Sequence, residues 1–320
     1  MRLTRYSIIS LAFFSLILFA CDTVSAQLRL PRPSPKASVM QTVGVTDITI
    51  TYSRPAVKNR KIWGEAPADS YAKGEATLDD QNKRPEGMAI VPWGHIWRTG
   101  SNEATQFVVT DDVLINGQPL AAGSYSLHTI PGKEEWSIVF NGVANQWGSF
   151  SYDPAKDTLR VKAKPVASAL SQEYLAFDIE PTSDSSARVN IRWEKIAVPF
   201  TVEVKDVTAT TLAKARTAVA AAKPDDWQTP LQAAGYARQN KSMEDAGKWI
   251  EQSLRAVDEA LKTKPTFANF RAKSTILVNA GRTQDAIAAT EKAIDAGKVE
   301  KADVAPLEKR LADLKAPKTQ

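Results

Sequence analysis

The chain has 320 residues, with 41 Lys and Arg against 36 Asp and Glu and a formal net charge of +5. Residues 27–207 carry 20 basic against 21 acidic side chains and residues 208–320 carry 19 against 14, so no concentrated basic stripe exists and nucleic acid is excluded as a partner. Cys21 is the only cysteine, which excludes disulfides, a thiol nucleophile and cysteine-held zinc from the mature protein.

Arg2 and Arg5 precede an apolar run over residues 6–20, the pattern of a signal peptide and too short for comfortable membrane spanning. Two endings compete. Val24, Ser25 and Ala26 before Gln27 make a small-residue cleavage site. Leu18, Phe19, Ala20 and Cys21 resemble a lipobox with Phe19 at an unusual position, and a lipidated Cys21 is the one route to membrane attachment. Cleavage after Ala26 fits its rule better. Residues 1–26 therefore read as a signal peptide, and the mature protein as periplasmic or secreted.

The mature start, 27–36, is extended and Pro-rich. Residues 45–52 alternate apolar and polar with β-branched side chains, the signature of a half-buried strand, which ends at Ser53, Arg54 and Pro55. A basic turn over 57–64 closes on Trp63. Residues 65–90 lack periodicity and read as a long surface loop or lid. Then comes the stretch with the most chemistry, 91–105, holding Trp93, His95, Trp97, Arg98, Asn102 and Glu103, broken by Gly94 and Gly100. Polar groups among large aromatics mark either a binding rim or a buried hydrogen-bond network.

Strands follow quickly, at 106–110 and 112–115, then a turn signal at Asn116 and Gly117. In the strand at 124–130, Tyr125, Leu127 and Thr129 share one face while Ser126, His128 and Ile130 share the other. Further strands are expected at 135–141, 158–163, 173–179, 187–193 and 199–204. Short strands with turns between them and no interleaved helices predict an antiparallel β-sandwich or barrel over 27–207.

At Asp206 the period changes to helical. Helices are expected at 209–222, from 231 to 264 with a polar turn inside, at 267–280, at 287–296 stopped by Gly297, and at 304–314. Ala246 and Ala286 open equivalent helices, and the second unit resembles a tetratricopeptide helix pair with Gly281, Ala286 and Ala293 at its small positions. Their separation of 40 exceeds the usual spacing of about 34. Residues 208–320 thus read as a tetratricopeptide-like α-helical domain, whose concave side offers a protein-docking surface.

Tyr52 to Pro55, the turn from Arg60 to Gly64, the run from Trp97 to Thr105, Asn116 with Gly117, Gly123 to Leu127, Pro131 with Gly132, Trp136, and Asn145 to Gly148 occur in an order that resembles DUF2911, a family of bacterial exported proteins of unknown function. The resemblance covers roughly residues 30–205. It departs in the longer 65–90 segment and in Ser101, where Ala is commoner. It implies a fold neighbourhood, an exported location and a frequent tetratricopeptide-like tail, but no activity.

The polar residues to follow are Arg54, Arg98, Asn102, Glu103 and His128. As a ligand site, the guanidiniums would grip carboxylate, phosphate or sugar hydroxyls, oriented by Asn102 and Glu103. As structure, an Arg–Glu pair would tie the loop to the sheet. Arg54 and Arg98 are expected to approach Glu103 at one end of the sandwich, and the residual positive charge would suit an anionic or hydroxyl-rich ligand. No spacing joins His95, His128 and Glu103 into a metal site, no nucleophile elbow is present, and no glycine-rich phosphate loop calls for a cofactor. Trp63, Trp93, Trp97, Trp136, Trp147 and Trp193 read mostly as core, although exposed Trp would stack on sugar rings. The resulting expectation is an exported binding or assembly protein taking a small polar or glycan ligand. The alternative is an envelope hydrolase acting on glycan or ester, with Glu103 or His128 as general acid/base.

Overall fold

The computed structural model describes residues 30–65 and 87–316. The expected signal peptide and nearly all of the expected 65–90 loop lie outside the described residues. The first sheet has six antiparallel strands in the order β1, β2, β5, β8, β9, β10. These are β1 (Lys36–Val43), β2 (Thr46–Ser53), β5 (Thr105–Val109), β8 (Gly123–Ile130), β9 (Trp136–Asn141) and β10 (Asp157–Ala163). The second, in the order β11, β12, β6, β7, uses β6 (Val113–Ile115), β7 (Gln118–Leu120), β11 (Val166–Ser183) and β12 (Ser186–Glu203). A short parallel pair, β3 (Trp63–Gly64) and β4 (Val91–Pro92), stands beside them.

The alternation that predicted strands also builds the core. Ile48 and Ile50 of β2, Phe107 of β5, Leu127 of β8 and Phe140 of β9 meet Ile115, Val189, Ile191 and Phe200 from the other sheet in one buried cluster. Rings cross the gap: Phe107 lies 5.0 Å from Phe140, which lies 6.1 Å from Phe200, both edge-on. At one end Trp63, Trp97, Trp136 and Trp193 form a second aromatic knot, with Trp97 stacked on Trp193 at 5.7 Å. The architecture is the expected antiparallel β-rich part followed by helices.

Two expectations for the strands change. The lead-in turns into a full strand, β1, at Lys36, because its alternating residues pair along all of β2. The separate strands expected at 187–193 and 199–204 are one strand, β12. Glu194 takes a left-handed conformation, φ 53°, which bends the strand without ending it. Pro199 is tolerated because it falls between the ladder with β11, which reaches Ala197, and the ladder with β6, which begins at Val202.

Asp206 caps the first helix, its carboxylate accepting from the Ala209 N–H. The described helices are α1 (Val207–Ala221), α2 (Gln228–Gln239), α3 (Met243–Thr263), α4 (Phe267–Asn279), α5 (Thr283–Val299) and α6 (Ala305–Lys315). Their core is separate: Ala233, Ala237, Trp249, Ile250, Val257, Ile276 and Ala286 pack together. Gly297 was expected to stop α5, but the helix continues through it. Its reason is packing, because a Cβ there would lie 2.5 Å from Val304 and 2.8 Å from Phe267. The sheet end and α1 touch at Gly44, φ 60°, where a Cβ would sit 2.7 Å from Val207. Lys214 of α1 bridges the same gap, 2.7 Å from Asp111.

Candidate functional site

Residues paired across an antiparallel sheet share a face. The register therefore sets Ser38, Thr51, Gln106, Ser126 and Asn141 in one row across five strands of the first sheet. Every member is polar, so this is the face turned away from the core. Its two halves are treated differently.

Over Ser126 and Asn141 the row is covered by the segment 142–156. Asn141 donates its amide to the Asp157 carboxylate at 2.8 Å and to the Asp153 carbonyl at 3.0 Å. Gln146 donates to Ser126 Oγ at 2.9 Å and to the Val143 carbonyl at 3.0 Å. His128 lies wholly buried between two hydroxyls, with Ser126 Oγ 3.2 Å from Nε2 and Ser149 Oγ 3.3 Å from Nδ1. The Tyr152 ring packs 5.0 Å from the imidazole, and its hydroxyl donates to Asp157. This half is closed, and its buried polar groups are paired except Gln146 Oε1, which has no hydrogen-bond partner among the described residues.

Over Thr51 and Gln106 the row opens into a cleft of about 290 Å³. Gln106 donates to Asn145 Oδ1 at 3.1 Å, fixing one wall. Trp147, 55% exposed, forms the rim. Two hydrogen bonds zip this wall to the 91–105 stretch: the Ala104 N–H donates to the Gln146 carbonyl at 3.0 Å and the Gly148 N–H to the Asn102 carbonyl at 2.9 Å. Glu103 therefore emerges directly beside Trp147, its bridge partner.

The local backbone explains why Glu103 points there. Thr99 and Asn102 both adopt left-handed conformations, φ 53° and 60°. Asn tolerates this, but for buried, β-branched Thr99 it costs on the order of 1–3 kcal/mol. Thr105 Oγ1 donates to the Thr99 carbonyl at 2.7 Å, and the Thr99 and Thr129 hydroxyls meet at 3.1 Å, holding the turn. Strain of this kind gathers where a segment must present particular groups.

The charged groups around Glu103 differ from the sequence expectation. Arg32, in the Pro-rich lead-in, donates to both Glu103 oxygens at 2.8 and 3.0 Å. Ser53 Oγ lies 3.5 Å from the same carboxylate. Arg98 instead donates to the Asn102 carbonyl at 3.0 Å, bracing the left-handed turn. Arg54 turns toward β11, donating to the Leu175 carbonyl at 2.8 Å with its guanidinium 5.7 Å from the Tyr174 ring centre. The physical reason is register: Arg54 follows the last residue of β2, so its side chain takes the face opposite Ser53. Asn102 approaches the Ser34 carbonyl at 3.4 Å, close to the lead-in.

Burial alone would raise the Glu103 pKa. The Arg32 hydrogen bond, the residue's own backbone N–H and the charges of Arg32 and Lys36 outweigh it, so the carboxyl sits below its ordinary value. Glu103 is thus a carboxylate at neutral pH, held by a cation. Lys36 lines the same cleft. Among the described residues no group of three or more His, Cys, Asp or Glu is arranged to hold a metal ion.

Of the residues singled out from sequence, the structure brings Arg98, Asn102 and Glu103 to one loop, places Arg54 on another face and buries His128 beneath the covering segment. Arg32, Lys36, Gln106, Asn145 and Trp147 were missed as site residues. Only the last two carried a signal, within the motif from Asn145 to Gly148.

No curated protein and no solved structure matches the chain. Residues 34–202, more than half of its length and all of this site but Arg32, match the model of DUF2911, described as a protein of unknown function; the chain belongs to that family.

Proposed function

We propose that this protein is an exported, noncatalytic binding protein that holds a small polar or glycan ligand in the Glu103–Trp147 cleft. One observation carries the reading: a tryptophan left 55% exposed beside a fixed carboxylate and the Gln106–Asn145 amide pair. A flat apolar face ringed by hydrogen-bonding groups suits a sugar ring, whose C–H face stacks while its hydroxyls bond outward. The cleft volume falls near the lower end of the roughly 300–1,000 Å³ of small-ligand sites, which fits a ring or two.

The hydrolase alternative needs a general acid, or Glu103 and His128 converging in an open pocket. Arg32 holds Glu103 ionised, and His128 is sealed under Ser149. Both features weigh toward binding. Export rests on the basic start and apolar run of residues 1–20 and on the Ala26 site. We read the helices as a tetratricopeptide-like docking domain, supported by the groove between α3, α4 and α5 that Leu254, Phe270 and Leu277 line among charged residues.

The test is ligand-observed NMR on the mature chain against a panel of disaccharides. The reading expects saturation transfer to at least one sugar, lost in Trp147→Ala. If no sugar shows transfer, or if Trp147→Ala binds as the parent does, the reading fails.

A further inference from the structure

The cleft has a charge imbalance that narrows its ligand. Glu103 is neutralised by the two hydrogen bonds from Arg32. Lys36 lies on the same wall, close enough for its charge to stabilise the Glu103 carboxylate. Among the described residues its ammonium has no ion pair and no hydrogen bond of its own. Its position is set by register, because Lys36 pairs with Ser53 at the end of the β1–β2 ladder and so shares the outward face. The cleft thus carries one carboxylate against two cations, and the second cation is available to a ligand.

We infer that the ligand is an acidic saccharide, a sugar ring bearing a carboxylate, with its ring on Trp147, its hydroxyls toward Glu103 and the Gln106–Asn145 pair, and its carboxylate toward Lys36. This inference rests on the binding reading of the cleft. Three features select for it together. The exposed indole requires a ring with an apolar face, which a free phosphate or a simple organic acid lacks. The amide pair is pre-organised by its own 3.1 Å hydrogen bond, leaving remaining amide valences for hydroxyls. The ammonium is a point charge that satisfies one carboxylate without needing the planar fork of an arginine. Glu103, already ionised, would repel an anion placed over it. The acidic group is therefore directed to the Lys36 side and the neutral hydroxyls to the Glu103 side, which orients the ring.

The experiment compares glucuronate, galacturonate and mannuronate disaccharides, each with its neutral hexose counterpart, on the mature full-length chain. Affinity is read by titration in low and physiological salt. At least one uronate should bind about tenfold tighter than its neutral counterpart, with the preference shrinking as salt rises. Lys36→Gln should abolish that preference while the thermal unfolding curve of the free protein stays that of the parent, a result that misfolding would not give. Trp147→Ala should remove binding of both sugars. Equal binding of acidic and neutral sugars, or a preference that survives Lys36→Gln, overturns the acidic-saccharide assignment and leaves the binding reading standing. Absence of binding to every sugar overturns both.

Discussion

The two halves of the polar row on the first sheet have the same strands beneath them and opposite fates. Ser126 and Asn141 are roofed by residues 142–156, and both find protein partners there. Thr51 and Gln106 are unroofed, and their neighbours Trp147 and Lys36 face solvent. The difference teaches where chemistry is available. A histidine between two hydroxyls looks catalytic on paper, but it is a pillar under the roof. The carboxylate on the open side can meet a ligand. Gln146 joins the halves, since its amide anchors the roof to Ser126 while its backbone carbonyl secures Ala104 beside Glu103.

Breaking the roof should have the largest effect on stability. His128→Ala leaves a cavity and strips the Ser126 and Ser149 hydroxyls of a partner, and should destabilise the protein by about 3 kcal/mol. Urea denaturation of the protein reads this directly. A loss well under about 1 kcal/mol would mean that the network is not structural support. Next comes Arg98→Ala. Had Arg98 paired with a buried Glu103, the loss would be about 3–5 kcal/mol. Because it braces the Asn102 carbonyl instead, the expected loss is about 1–2 kcal/mol, with the cleft's affinity reduced as the turn relaxes.

The third prediction uses pH. The Glu103 pKa is lowered in the folded protein, so the stability that it contributes is present above its ordinary 4.5 and lost as pH falls through the lower folded value. Glu103 and Arg32 are 37% and 47% exposed, so solvent screening keeps the contribution under about 1 kcal/mol. Glu103→Gln should flatten the parent's stability profile slightly in that acid window and leave it unchanged near neutrality in shape. A profile that shifts instead between pH 6 and 8 would implicate a different group. The smallest stability effect belongs to Trp147→Ala. An exposed rim residue should change stability by less than about 0.5 kcal/mol while abolishing sugar binding. A large loss of stability would reclassify Trp147 as part of the roof.

Much of the fold is legible because its physical cause is local. Alternation at residues 124–130 separates Tyr125 and Leu127 from Ser126 and His128, and the structure keeps that division. Asn116 and Gly117 supply the two positive φ angles, 48° and 80°, of the hairpin turn between β6 and β7. The switch at Asp206 is visible because a cap and a change of period coincide. What stays hidden depends on pairing across distance. Arg32 meets Glu103 from 71 residues away, through a lead-in whose prolines say only that it is extended. Trp147 carries no mark that separates it from the four tryptophans of the knot, because burial is a property of the roof and not of the residue. The length of β12 is hidden by Pro199, which reads as a terminator until its place between two ladders is known.

The most direct test follows the amide and indole N–H signals of the protein by NMR while a disaccharide is titrated in. The account predicts shifts at the Trp147 indole and at the Gln106 and Asn145 side-chain amides, with the signals around His128 and Ser149 unmoved. Shifts centred on His128 and Ser149, with Trp147 silent, would contradict it.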